Sequence, residues 1–174
     1  MHVPHRANDI PAEFKKILGN LKYDHVFVTG NLTSKEMYDY LRGLTNELHV
    51  VSGEFDEIKK WPESKIVTVF DFKFGLNHGH SVVPWGDKES LYFMAKQYEC
   101  DVLITGNTFE KTVFENNSKL FLNPGTGTGA YSIYSVETIP SFLVLDVKKS
   151  NIKIYSYELK DGDVKVSLAN YDKT

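Results

Sequence analysis

The chain has 174 residues, of which 41% are hydrophobic and 25% are charged, and its formal net charge is -3. This length predicts a single domain spanning residues 1–174, large enough to bury a complete core. The weak acidic balance excludes the basic surface of a nucleic-acid-binding protein, and no apolar run approaches the roughly 18 residues that a membrane span needs.

Three segments have apolar residues three and four positions apart, the spacing of an amphipathic helix. The first, IPAEFKKIL, follows Asn8 or Asp9 as the predicted N-cap. In the second, TSKEMYDYLRGL, Thr33 and Glu36 have the spacing of a capping box. The third, DKESLYFMAKQY, begins at the predicted N-cap Asp87.

Short apolar runs between and after these helices predict strands. In the first half the runs HVFVTG, LHVVSG, KIVTVFDF, FKFGLN and DVLITG alternate with helices, which predicts a parallel core sheet. From Lys111 onward only strands and turns follow, with Asn116-Asn117 and Asp161-Gly162 as predicted hairpin turns. The fold class is therefore α/β, a two-sheet sandwich flanked by helices, and its second half supplies a largely antiparallel sheet.

Polar residues follow four strands of the first half, where parallel strands place ligand sites. They are Gly30 and Asn31, the run Gly53-Glu54-Phe55-Asp56, His78, and Gly106 with Asn107. Glycines beside polar residues let the chain turn sharply and bring side chains to one rim. The convergence of four such turns predicts a site, past or present. The alternative is that these residues are only caps and turn residues. It explains each turn by itself but does not explain the pattern that the four turns share.

These residues carry a resemblance to a known family. Along the chain they occur in the order H, G-N, G-E-F-D, H-G-H and G-N-T-F. This order resembles the pattern of the calcineurin-like metallophosphoesterases, which is D-x-H, G-D, G-N-H-[DE], H and G-H-x-H. The longer segments KEMYDYL, HVVSGEFDE, HGHSVVPWGD, LFLNPGTGTGAY and IPSFLVLDV are similar to the retromer branch of that family. The resemblance covers essentially the whole chain and implies the calcineurin-like metallophosphoesterase fold. The family's first strand and its aspartate would precede this sequence.

The resemblance also implies that the family's two-metal site is degenerate. Two-metal phosphoester hydrolysis needs cations about 3.5–4 Å apart that share a bridging oxygen ligand. The family's bridging carboxylate falls on Asn31, an asparagine ligand on Glu54 and the catalytic histidine on Phe55. The terminal histidine pair falls on Asn107 and Phe109. We therefore expect no phosphoesterase catalysis.

Only His2 and His78 keep the family's residue type, so we expect a vestigial pocket with no cofactor. A weak site for Zn or Mn is the alternative. Its ligands would be His2, Asn31, Glu54 and His78. Two further histidines, His25 and His49, precede strands and are interpreted as ordinary surface or edge residues.

By resemblance, the chain is a non-catalytic scaffold subunit of the retromer cargo-recognition core, which serves endosome-to-Golgi retrograde protein transport. The implied partners are the long α-solenoid subunit, vacuolar protein sorting-associated protein 35, and regulators of endosomal GTPases. The implied location is cytoplasmic, peripheral on endosomal membranes through the complex. The single cysteine, Cys100, agrees with a reducing compartment. A metal-dependent phosphoesterase with a degenerate two-metal site is the alternative function.

The first predicted partner surface surrounds the former metal pocket, which the solenoid subunit covers in the family. The loop SVVPWGD places Val82, Val83 and Pro84 beside His78, and exposed apolar residues around a depression suit an interface core. The turn-rich segment NPGTGTGAY lacks the lysine of a phosphate-binding loop. It is predicted to place Tyr131 at the rim of the pocket.

The second predicted partner surface lies on the strand NIKIYSYEL. Alternation places Tyr155 and Tyr157 on one face of this strand and Ile152 and Ile154 on the other. With Val144 on a nearby strand, the two tyrosines predict an exposed apolar patch, which by resemblance binds the GTPase regulators. The pattern leaves open which of the two faces is exposed.

Overall fold

The computed structural model describes residues 1–56, 61–132 and 138–173. The helices are α1 (Ala12–Gly19), α2 (Lys35–Leu44) and α3 (Lys88–Gln97). The strands are β1 (His25–Val28), β2 (Glu47–Val50), β3 (Ser64–Val69), β4 (Phe72–Asn77), β5 (Val102–Ile104), β6 (Lys111–Asn116), β7 (Lys119–Pro124), β8 (Ser141–Lys148), β9 (Asn151–Lys160) and β10 (Asp163–Asp172). Within the described ranges, no helix combines the length and apolar character that a membrane crossing requires.

The strands form two packed β layers. One layer is a five-stranded mixed sheet with the order β3-β4-β5-β7-β6, in which β4, β5 and β7 are parallel neighbours. The other holds the parallel pair β1-β2 and the antiparallel sheet β10-β9-β8. The core between them includes Phe27, Phe74, Ile104, Leu122 and Ile154. The predicted two-sheet sandwich is confirmed, although its parallel strands are divided between both layers.

The helices cover the outer faces of these layers. Phe14 of α1 and Leu41 of α2 pack in one cluster with Val28 of β1. On the opposite side, α3 packs against the outer face of the five-stranded sheet, where Leu103 belongs to its cluster. The neighbours of Leu103 in β5 belong instead to the central core. This alternation follows from the period-2 geometry of a strand, so the sandwich has helices on both sides.

Side-chain caps define the starts of two helices. Asp87 caps α3, as predicted. The cap of α2 is Ser34, one residue after the predicted Thr33. No side chain caps α1, which follows Pro11, so the caps predicted at positions 8 and 9 are wrong.

The hairpin turns lie close to their predicted positions. Asp161-Gly162 connects β9 to β10, and both residues have the positive φ of the two-residue turn that strand twist favours. Between β6 and β7 the turn residues are Asn117 and Ser118, one position later than predicted. Asn116 pairs with Lys119 and ends β6.

A groove of about 860 Å³ separates β1 from β8 in the second layer. Its lining includes Val26 and Val28 of β1, Leu143 and Leu145 of β8, and Phe74 of the facing sheet. Among the described residues, no strand is hydrogen-bonded to β1 or β8 on this side. The second layer therefore consists of two sheets side by side.

Candidate functional site

Four chain segments meet at the carboxyl ends of the central strands. Asn31 follows β1, His78 follows β4, Asn107 follows β5, and His2 comes from the first residues of the chain. All four side chains are buried. Direct contacts join His2, Asn31 and His78, and Phe109 joins them through the ring of His2.

The side-chain amide of Asn31 lies between two imidazoles. Its Nδ2 atom is 3.2 Å from His2 Nε2 and 3.1 Å from His78 Nε2. His78 Nδ1 donates to the carbonyl oxygen of Thr29, which leaves Nε2 as the nitrogen with a free lone pair. Asn31 therefore donates one amide hydrogen to each ring. Its Oδ1 atom accepts the backbone N–H of Phe55 at 2.9 Å.

Asp56 supports this arrangement, a role that the sequence pattern did not predict. Its carboxylate accepts the backbone N–H groups of Asn31, Gly53 and Thr33 at 2.7, 2.8 and 3.1 Å. Gly53 is required beside it because a Cβ atom there would lie 2.2 Å from Asn31 Oδ1. The sequence signal for this role was the turn G-E-F-D, because an aspartate in a short turn commonly accepts hydrogen bonds from backbone N–H groups of the same turn.

Aromatic rings cover His2. Phe109 stacks on the imidazole with the ring centres 5.3 Å apart, and Phe55 meets its edge at 5.4 Å. Phe109 thus fills the space beside the His2 ring. Glu54 differs from its prediction, because its side chain is exposed and has no hydrogen bond or ion pair with any described residue. Its turn places the carboxylate in solvent, so Glu54 is not part of the pocket.

Both imidazoles are poor bases in this environment. Burial lowers the pKa of His2 to about 3, with smaller contributions from the positive charges of the chain's terminal amine and Arg6. Burial also lowers the pKa of His78 to about 4, although its hydrogen bond to the Thr29 carbonyl acts in the opposite direction. The rings are therefore neutral at neutral pH, which agrees with lone pairs that accept the Asn31 amide hydrogens.

These residues do not fit a two-metal phosphoesterase centre. A bridging ligand must offer lone pairs to two cations, whereas the Asn31 amide donates hydrogens to the nitrogens that a metal would need. The Nδ2 group of Asn107 is buried without a hydrogen-bond partner in the described part of the chain, and it is a donor rather than a ligand atom. The phenyl ring of Phe109 offers no ligand atom. The pocket is a hydrogen-bonded cluster.

The backbone of the pocket is strained at four positions. The angle φ is 57° at His2, 52° at Asn31, 69° at Asn107 and 63° at Phe109. Left-handed backbone costs roughly 1–2 kcal/mol for a residue with a Cβ atom and is tolerated best by asparagine. Contacts such as the hydrogen bond from His2 N–H to the Asn31 carbonyl, 2.9 Å, hold the chain in this shape.

The loop between β4 and α3 contains both buried and exposed members of the first predicted partner surface. Val82 is only 5% exposed and packs in a core cluster with Leu91 and Phe121, so its assignment to the surface is wrong. Val82 fills the space beneath α3, which a loop residue can do as readily as a strand residue. Val83 is 77% exposed, and Pro84 is exposed as well.

Tyr131 lies on a second loop beside the pocket. The hydroxyl of Thr128 donates to the carbonyl oxygen of Met1 at 2.6 Å, which joins this loop to the residue before His2. Tyr131 is 62% exposed. The start of this loop therefore lies beside the residue that precedes His2. We call Val83, Pro84 and Tyr131 the rim surface.

Burial decides which face of β9 is exposed. Ile152 and Ile154 are buried in the core, so Tyr155 lies on the outer face. Tyr155 is paired with Val144 of β8 and with Leu168 of β10, and Leu168 is 56% exposed. We call Val144, Tyr155 and Leu168 the β8–β10 patch.

The patch differs from the prediction at two positions. Tyr157 stacks on Phe142 with the ring centres 4.6 Å apart, and Phe142 meets Phe14 of α1 at 4.7 Å. Tyr157 is therefore half-buried and supports α1 through Phe142, so we leave it out of the patch. Leu168 was missed, although residues equally distant from the Asp161-Gly162 turn must face each other across the hairpin.

Sequence comparisons identify the family of the chain. Residues 2–150 match the family model described as the calcineurin-like phosphoesterase superfamily domain. The chain is 35% identical over 176 residues to vacuolar protein sorting-associated protein 29 of Schizosaccharomyces pombe, with 99% of this chain and 94% of that protein covered.

Similar solved structures cover the same length. The crystal structure of wild-type Vps29 from Entamoeba histolytica complexed with Zn²⁺ is 44% identical with a TM-score of 0.94, and 99% of this chain and 96% of that chain are covered. Vps29 of Chaetomium thermophilum complexed with a cyclic peptide is 33% identical with a TM-score of 0.88, covering 99% of this chain and 93% of that chain. The chain therefore belongs to the calcineurin-like phosphoesterase superfamily and, within it, to the Vps29 family.

Proposed function

We propose that the chain is a non-catalytic scaffold subunit of a retromer complex. In this role it docks on the long α-solenoid subunit, vacuolar protein sorting-associated protein 35, and recruits regulators of endosomal GTPases for endosome-to-Golgi retrograde transport. Family membership supports the sorting role, because the Schizosaccharomyces pombe relative is named for vacuolar protein sorting. The single observation that carries the non-catalytic role is the Asn31 amide, which hydrogen-bonds to both remaining imidazoles. The protein reaches endosomal membranes through the complex.

A metal-dependent phosphoesterase with a degenerate site is the second candidate. It is favoured by the superfamily match and by the Zn²⁺ complex of the Entamoeba histolytica relative. Catalysis is disfavoured because a cation in the pocket must first displace the Asn31 amide from His2 and His78. Zn or Mn would therefore be held weakly there, since metal affinity falls steeply as protein ligands are lost.

The rim surface is our candidate for the contact with the solenoid. Val83 has the largest exposed fraction, 77%, among the large hydrophobic side chains that the structure describes as exposed. Its loop is ordered by the buried side chain of Val82 and by a hydrogen bond of 3.1 Å from Asp87 N–H to the Pro84 carbonyl. An apolar side chain on an ordered loop loses little conformational freedom on binding, which favours a central interface position.

The β8–β10 patch is our candidate for the regulator contact. Val144, Tyr155 and Leu168 are neighbours across three strands of one sheet face. An aromatic ring flanked by aliphatic side chains is typical of a small peptide-binding surface. The complex of the Chaetomium thermophilum relative with a cyclic peptide supports peptide binding within the family.

Co-purification with the carboxyl-terminal half of the solenoid subunit tests this proposal. Val83→Asp should weaken capture by at least about 100-fold, since a carboxylate buried at an interface without a partner costs several kcal/mol. Tyr155→Ala, on the β8–β10 patch, should leave capture unchanged.

Phe70→Asp is the matched control, because it places the same charge at another exposed hydrophobic residue. Phe70 precedes β4 whereas His78 follows it, so the control lies about 20 Å from the pocket. Circular dichroism checks the fold of each variant. Normal capture of folded Val83→Asp, or loss of capture in Phe70→Asp as well, would refute the assignment of the rim surface.

A further inference from the structure

Three side chains with metal-binding atoms lie together at the beginning of β1 and β2. His25, the first residue of β1, is the cross-strand partner of Glu47, the first residue of β2. His49 is two residues beyond Glu47 and so lies on the same face of the pair. One ligand atom of each residue lies within 4.8 Å of the ligand atoms of the other two.

The two imidazoles are already close to a shared ligand geometry. His25 Nδ1 and His49 Nε2 are 3.1 Å apart. Two imidazole nitrogens on one tetrahedral Zn²⁺, each at 2.0–2.1 Å, would be about 3.3 Å apart. Only a small opening of the pair is needed to admit the ion.

His49 is not the surface or edge residue that its place in the sequence suggested. It is buried, and its Nδ1 atom has no hydrogen-bond partner among the described residues. Phe27 fixes both rings, with its centre 4.9 Å from that of His49 and 6.3 Å from that of His25. A buried histidine with an unpaired ring nitrogen is costly unless another interaction uses the ring.

We propose that His25, Glu47 and His49 bind a single divalent transition-metal ion, with Zn²⁺ as the best match. Two imidazoles and one carboxylate are a donor set that zinc accepts, and the exposed Glu47 leaves a path for the ion and for a solvent ligand. The bound ion would join β1 to β2, a pair of strands only four residues long.

The charges around the site limit its affinity. The ammonium group of Lys65 on β3 lies close enough to His49 to disfavour a positive charge there. Glu47 supplies the opposing negative charge. We therefore expect a site of moderate affinity.

This cluster is separate from the vestigial pocket. His25 begins β1, whereas Asn31 lies three residues beyond the last residue of β1. Six residues of extended chain span about 20 Å. A zinc ion at the cluster would therefore make no contact with His2 or His78, and the inference does not depend on the proposed scaffold function.

Calorimetric titration of the full, EDTA-treated chain with zinc chloride tests the proposal, and absorption spectra with Co²⁺ report the ligand geometry. We expect one equivalent of Zn²⁺ to bind, a tetrahedral Co²⁺ spectrum and an increase in Tm on adding Zn²⁺. His25→Asn and Glu47→Gln should each weaken binding at least tenfold. Glu47→Gln changes an exposed side chain, so it tests the site even where a histidine variant folds poorly.

Two histidine variants serve as comparisons. His5→Asn removes an exposed imidazole outside both clusters and should bind Zn²⁺ like the parent chain. His78→Asn should also retain the calorimetric site. Loss of zinc binding in His78→Asn with retention in Glu47→Gln would place the ion in the vestigial pocket and overturn the proposal. The absence of stoichiometric binding in the parent chain would overturn it as well.

Discussion

The carboxylate of Asp56 offers the sharpest test of how the pocket is held together. It accepts three backbone N–H groups, those of Asn31, Gly53 and Thr33, at 2.7–3.1 Å. Asp56 is buried, so Asp56→Ala would leave these N–H groups without an acceptor where water has little access. Asp56→Asn would keep one acceptor oxygen but turn an NH₂ group toward a backbone donor.

The expected loss follows from the number of hydrogen bonds. Each bond to a charged acceptor contributes about 1.5 kcal/mol or more, and an unsatisfied buried donor costs about 1–3 kcal/mol. Allowing for partial relaxation of the turn, we expect Asp56→Ala to lower the free energy of unfolding by about 3–5 kcal/mol, a large part of the 5–15 kcal/mol typical of a domain. For a chain of this length, that loss lowers Tm by about 10 °C.

Urea unfolding followed by circular dichroism measures this difference. Glu54→Ala is the matched control, because it removes a carboxylate from the same turn that is exposed and has no partner among the described residues. We expect the control to lie within about 0.5 kcal/mol of the parent chain and Asp56→Asn to lie between the two. A loss below about 1 kcal/mol for Asp56→Ala would show that these three hydrogen bonds do not hold the turn.

Two further predictions concern the histidines of the pocket. With excess Mn²⁺ or Zn²⁺, we expect no hydrolysis of an aryl phosphate above the metal-only rate, and turnover that disappears in His78→Ala would contradict the scaffold proposal. In EDTA, the free energy of unfolding should fall as the pH is lowered from about 6.5 to about 4. In this range His78 is protonated in the unfolded chain but stays neutral in the folded chain, where its pKa is about 4. Between pH 6 and 5, His78 should lower the free energy of unfolding, measured with urea, by about 1 kcal/mol. If His78→Asn left the pH dependence of this free energy unchanged, the assignment would be contradicted.

Much of the fold was accessible from the sequence because its signals are periodic. Helical spacing in α1, α2 and α3 identifies their buried faces without any tertiary information, and the continuous apolar runs of β5 and β7 identify strands that are buried on both faces. The N-cap of α2 was harder to predict, because neighbouring hydroxyl groups compete for the capping position. Thr33 and Ser34 are both good N-caps, and the choice depends on the Thr33 hydroxyl donating to Val3 instead, a contact with a distant segment.

The residues of the partner surfaces could be predicted only in part from the sequence pattern. Val82 and Val83 are adjacent and chemically identical, and only the packing of α3 makes the first a core residue and the second an exposed one. Leu168, by contrast, was accessible from the register of a two-residue turn. The pairing of His25 with His49 required knowing that β1 and β2 are adjacent and in which register.

The left-handed backbone at His2, Asn31, Asn107 and Phe109 has a consequence for engineering a metal centre into this protein. Residues with such φ values usually persist because surrounding contacts determine them, here the hydrogen bonds of Asp56 and the covering rings. Ligand side chains introduced at positions 31 and 109 would inherit a chain path that already holds both positions against His2. At these two positions, introducing a metal ligand is therefore a matter of exchanging a side chain on an existing backbone.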